Sequence, residues 1–133
     1  MVLARLLPPE ADPSAALVGI LRTLTERVPS AHGAVIADRS GLPVARYSRD
    51  GTDLSMASAI AALITRAAMT AFEGLGRTEF DYATFQGSGL RILVFSIGDK
   101  ASLILLTDDV SGTADAELHS HWAVMEIAAI LGL

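Results

Sequence analysis

The chain has 133 residues, about half of them hydrophobic, a net charge of −5 and no cysteine. A single domain of this length can bury a full core, and its apolar content excludes disorder. An acidic balance without a basic stripe argues against nucleic acid and anionic membrane surfaces, and the lack of cysteine removes disulfides, thiolate nucleophiles and cysteine-based zinc sites.

The opening "MVLARLLPPEADP" is too short in its apolar part for a secretory signal and runs into proline and acid. It reads as a flexible arm over residues 1–13 of a cytoplasmic protein, with one domain expected over 14–133. In "DPSAALVGILRTLTERVP", Leu17, Ile20, Leu21, Leu24 and Val28 recur at helical spacing. Asp12 or Ser14 can cap this helix and Pro29 stops it, while Arg22, Thr25, Glu26 and Arg27 are expected on its wet face.

Two short strands follow, Gly33–Ala37 and Leu42–Tyr47, around the turn Asp38-Arg39-Ser40-Gly41. Aspartate first and glycine last suit a type I turn, and Pro43 places the second strand at a sheet edge. A long helix is expected from Leu54 to Leu75, capped by Thr52 or Asp53. Its apolar and small residues cover most of the circumference, so it must be buried nearly all round. One sheet covers only one side, and a second copy of the chain is the economical cover for the other.

Beyond "GLGR" the period changes to two, and three strands form a meander through "TEFDYATF", "GLRILVFSIG" and "ASLILLTDD". A last helix, Ala114–Leu131, carries Asp115 and Glu117 in its first turn and is expected to pack through Leu118, Trp122, Met125 and Ala129. The order is α-β-β-α-β-β-β-α.

No catalytic constellation survives scrutiny. "DRSG" lacks the second carboxylate loop of an aspartic protease, and Leu42 and Val44 stand where a calcium loop needs oxygen ligands. "QGSG" at 86–89 lacks the Lys and Ser/Thr of a phosphate loop and precedes a strand, so it reads as a turn. His119 and His121 point about 200° apart on a helix and cannot share a metal. His32 stands alone before a strand, and no nucleophile elbow exists. No cofactor or metal is expected.

The ordered set of elements resembles Roadblock-type domains, the family of dynein light chains, Ragulator subunits and bacterial polarity proteins. The stretches carrying the resemblance are "TLTERVPSAHGAVIADRSGLPVARY" and "LGRTEFDYATFQGSGLRILVFSIGDKASLILLTDD", and it covers about residues 15–131. It implies an α+β Roadblock/longin-like fold with a five-stranded antiparallel sheet in the order 2-1-5-4-3. The first and last helices would share one face and the long helix would lie on the other. It also implies a homodimer built by pairing the long helices and the third strands, here about Thr78–Phe85. Carried onto this chain, that contact is expected at Leu54, Ala57, Ser58, Ala61, Ile64, Thr65, Ala68, Met69, Phe72, Phe80 and Tyr82. The implied function is non-catalytic: binding, and regulating, a small Ras-like GTPase. Two alternatives are a structural adaptor joining other Roadblock or longin domains, and a profilin- or PAS-like sensor of a small ligand. Residues 1–13 have no counterpart in the resemblance.

Overall fold

The computed structural model describes residues 13–77, 80–108 and 113–133. Its elements are α1 (Pro13–Arg27), β1 (Ala31–Asp38), β2 (Pro43–Ser48), α2 (Ala57–Gly74), β3 (Tyr82–Gly87), β4 (Leu90–Ile97), β5 (Ala101–Asp108) and α3 (Thr113–Leu131). The five strands form one antiparallel sheet in the order β2-β1-β5-β4-β3. This is the expected architecture, with β2 and β3 at the edges.

Strand alternation sorts the core into two layers. Ala34 and Ile36 of β1, Leu93 and Phe95 of β4, and Leu103 and Leu105 of β5 face α1 and α3. Their neighbours Val35, Val94, Ile104 and Leu106 point the other way, toward α2.

The α1 helix opens on Pro13, whose missing N–H is no loss in a first turn. Ser14 therefore lies inside the helix, one residue past its start, and Asp12 is outside the described residues. Leu17, Leu21, Leu24 and Val28 are buried as the spacing predicts. Thr25, expected on the wet face, is buried instead. Its hydroxyl donates to the Leu21 carbonyl at 2.7 Å, which satisfies the one polar atom that burial would penalise. The last carbonyls of α1 meet the guanidinium of Arg49, just after β2. It donates to Thr25, Val28 (3.4 Å), Pro29 (2.7 Å) and Ala31 (2.9 Å).

The β1–β2 turn is held by Asp38. Its carboxylate accepts from the Ser40 amide (2.9 Å), the Ser40 hydroxyl (2.7 Å) and the Leu42 amide (3.0 Å), while the Gly41 amide closes the turn on the Asp38 carbonyl (3.1 Å). Gly41 has φ 92°, and a Cβ there would sit 3.1 Å from Cβ of Ala62 on α2. The turn and the helix thus demand glycine together. In the β3–β4 hairpin, Ser88 and Gly89 both have positive φ, which makes "QGSG" a two-residue turn.

Three further expectations are corrected. The long helix starts at Ala57, after Met56, which makes no side-chain cap. Asp53 instead accepts from the Ser55 amide, and Thr52 from its place in the loop donates to Asp50. Strand β3 begins at Tyr82, with Phe80 ahead of it and residues 78–79 outside the described set. Most consequentially, α3 packs through Ala116, Ser120, Ala123 and Ile127, while Leu118 and Met125 are exposed, as is Ala129. That helix is apolar on two sides, and the side with small residues is the one that can approach α1 and the sheet closely.

Candidate interaction surface

Helix α2 lies over β1 and β5 and reaches the inner edge of β4. Ser58 and Ala61 are buried beneath it, and the Thr65 hydroxyl meets that of Ser102 on β5 at 3.1 Å. The α2-side face of β3 and the outer part of β4 remain uncovered by any described element. There Phe85, 46% exposed, pairs in register with the half-buried Ile92.

Successive residues turn by about 100° around a helix axis, so Met56, Ile60, Leu63, Ala67 and Ala71 fall on one flank. All five are exposed, Met56 to 70% and Leu63 to 65%. Between this flank and the bare sheet runs an apolar groove of about 170 Å³, lined by Met56, Ile60, Leu90, Ile92 and Leu106 among others. About 100° further round, the other flank carries Arg66 and Glu73. It borders a polar cleft of about 440 Å³ against the β1–β2 and β4–β5 turns, where Arg39 points an Nη2 at the Met69 sulfur (3.8 Å). One side of α2 is therefore built for water and the other is not.

Of the residues expected at a homodimer contact, Leu54, Ser58, Ala61 and Phe80 already lie in the interior of the single chain. They have almost no surface left to give a partner. Ala57, Ile64, Thr65, Ala68 and Met69 are half-buried, facing the sheet or the helix margins. Phe72 is exposed and stacks on Phe80 with ring centroids 6.3 Å apart. Tyr82 is exposed but turned to the α1–α3 face, stacked on Phe95 (5.1 Å) and edge-on to His121 (6.0 Å). Met56, Ile60, Leu63, Ala67 and Ala71, the exposed apolar positions along the helix, were not among the residues expected there. Their spacing of three and four along the helix was the available signal, hidden because the whole helix is apolar.

His32 is not alone. Its Nδ1 lies 2.6 Å from Asp50 and its Nε2 2.7 Å from Asp108, so only the imidazolium can donate to both. The Asp50 and Asp108 carboxylates accordingly raise the His32 pKa. Asp50 is held well below the usual carboxylate range by the Thr52 hydroxyl and then by His32. Asp38 is also lowered, first by the Ser40 hydroxyl. Each of these groups joins strands or shapes a turn. Among the described residues no group of three or more His, Asp or Glu could hold a metal ion, and no helix is long and apolar enough to cross a membrane.

Residues 17–107 match the Roadblock/LC7 domain model, and the chain belongs to that family. Its fold superimposes on MglB of Myxococcus xanthus with a TM-score of 0.82 at 16% identity, over 95% of this chain and 94% of that one. The gliding protein MglB of Thermus thermophilus gives 0.81 at 22% identity, over 93% and 97%. An MglB in a tetrameric arrangement gives 0.82 at 22% identity, over 93% and 96%. No curated protein sequence matches the chain significantly.

Proposed function

We propose that this Roadblock domain is a non-catalytic homodimer in the cytoplasm that binds and regulates a small Ras-like GTPase. The observation that carries the reading is the apolar flank of α2 beside the bare β3–β4 face. Surface of this kind on a soluble domain marks a protein contact. A second copy fits it by symmetry: its own Ile60–Leu63 flank enters the groove, and the two β3 edges pair to continue the sheet. The self-contact residues become Met56, Ile60, Leu63, Ala67 and Ala71 with Phe85, Leu90 and Ile92. The tetrameric arrangement of one MglB supports self-association of this fold.

The GTPase is the partner that the family resemblance implies. The test is retention of a purified Ras-like GTPase from the same genome on the immobilised chain, loaded with GDP or with a non-hydrolysable GTP analogue. Retention that depends on the nucleotide supports the reading. Failure of every such GTPase in both states refutes it.

A further inference from the structure

The polar cleft beside α2 holds charges that the chain itself does not neutralise. It measures about 440 Å³ and lies between α2 and the β1–β2 and β4–β5 turns. Ala62, Arg66, Met69 and Glu73 fall within about 60° of one another around the α2 axis and form one wall. Arg39 reaches in from the β1–β2 turn and rests against the Met69 sulfur, while Asp99 stands in the β4–β5 turn. Among the described residues, Arg39, Arg66, Glu73 and Asp99 form no ion pair. Asp38, the remaining charged group of the lining, spends its carboxylate on the Ser40 and Leu42 amides and the Ser40 hydroxyl.

The free charges are sorted along the cleft. Helix α2 runs outward over this end of the sheet, from Leu54 just ahead of it beside Gly33 to Thr65 over Ser102 at the start of β5. Next to Thr65, Arg66 and the Arg39 fork over Met69 make the inner end cationic. Glu73 follows two turns later, about 10 Å further along the axis, and with Asp99 makes the outer end anionic. Met69 supplies an apolar wall between the two. The inner end also carries a spare donor. The Thr65 and Ser102 hydroxyls lie 3.1 Å apart, and one donates to the other, which leaves one O–H of the pair without an acceptor among the described residues. Ser102 is only 5% exposed, so that donor sits at the cleft floor, not in open water. A buried hydroxyl beside two unpaired guanidinium groups suits a carboxylate.

We propose that this cleft binds a short zwitterionic peptide of about three residues. Its C-terminal carboxylate sits on Arg39, Arg66 and the Thr65–Ser102 hydroxyls, and its free ammonium on Glu73 and Asp99. Three extended residues span about 10 Å, which matches the separation of the two ends. The cleft volume is that of a small-ligand site. Both ends are needed, because one exposed ion pair contributes little in water. The site lies on the flank of α2 away from the proposed self-contact and does not rest on that reading.

Trialanine is the probe, titrated into the nitrogen-15-labelled full chain and followed by amide chemical shifts. Saturable shifts should develop by about 10 mM peptide and be confined to residues 38–40, 65–73 and 96–102. N-acetyl-trialanine lacks the ammonium and trialanine amide lacks the carboxylate, and each should bind at least tenfold more weakly. Arg66→Gln should weaken trialanine to the same degree, with an unchanged circular dichroism spectrum because Arg66 is exposed. Arg46→Gln, on β2 and outside the cleft, should keep the native affinity. No saturable shift with trialanine would overturn the inference. So would capped peptides that bind as tightly as the free one, or Arg66→Gln and Arg46→Gln chains that bind alike.

Discussion

His32 Nε2 and Asp108 Oδ1 stand 2.7 Å apart and tie the start of β1 to the end of β5, while the other ring nitrogen holds Asp50 beyond β2. Two carboxylates on one imidazole make this corner of the sheet sensitive to pH. The folded-state pKa of His32 is raised. Its contribution is therefore fully present below the unfolded value of about 6.5 and is lost as pH rises through the folded value. Asp50 works in the opposite sense, its contribution lost only as pH falls well below the usual carboxylate range. The melting temperature should fall as pH is raised from 6.5 to 9, and His32→Gln should flatten that slope. An equal slope in the variant would remove His32 from the account.

Arg49 donates to four backbone carbonyls from the last turn of α1 to the start of β1, a load only a planar, permanently charged fork can carry. Arg49→Ala should lower unfolding stability by about 1.5–3 kcal/mol in urea titration, the range for hydrogen bonds to a charged donor. Arg49→Lys should recover less than half of that loss. Full rescue by lysine would mean that charge alone suffices.

Gly41 answers two demands, a left-handed backbone and the closeness of Ala62. Gly41→Ala should cost about 1–3 kcal/mol in thermal unfolding. Asp38→Asn keeps one acceptor oxygen for the turn and should cost less than Asp38→Ala. A neutral Gly41→Ala would show that α2 can draw back from the turn.

Ala61 is 1% exposed against the sheet, so Ala61→Glu should unfold the protomer, because it buries an unpaired charge. Loss of the cooperative thermal transition is the readout. A folded Ala61→Glu chain would mean that α2 is seated differently.

What the sequence made legible was governed by local chemistry. The 38–41 turn, the Pro43 edge strand and the β3–β5 meander each follow from residues within a few positions of one another. Faces were harder. On α3 the large residues Leu118 and Met125 suggested the core, yet packing density favours Ala116 and Ala123, and periodicity carries no size rule. On α2 the apolar surround hid the choice between Ala61, turned inward, and Leu63, turned outward. The His32 partners lie 18 and 76 residues away, a relation that no spacing rule can reveal.

The central claim is that the Met56–Ile60–Leu63 flank of α2, beside the bare β3–β4 face, is the self-association surface. Sedimentation equilibrium of the native chain and of Leu63→Glu tests it most directly, because Leu63 is 65% exposed and its replacement leaves the protomer's core untouched. The native chain should sediment as a dimer at micromolar concentration. Leu63→Glu should associate at least tenfold more weakly, a loss of about 1.4 kcal/mol or more, with an unchanged circular dichroism spectrum. A native monomer, or a Leu63→Glu chain that dimerises as tightly as the native one, would contradict the claim.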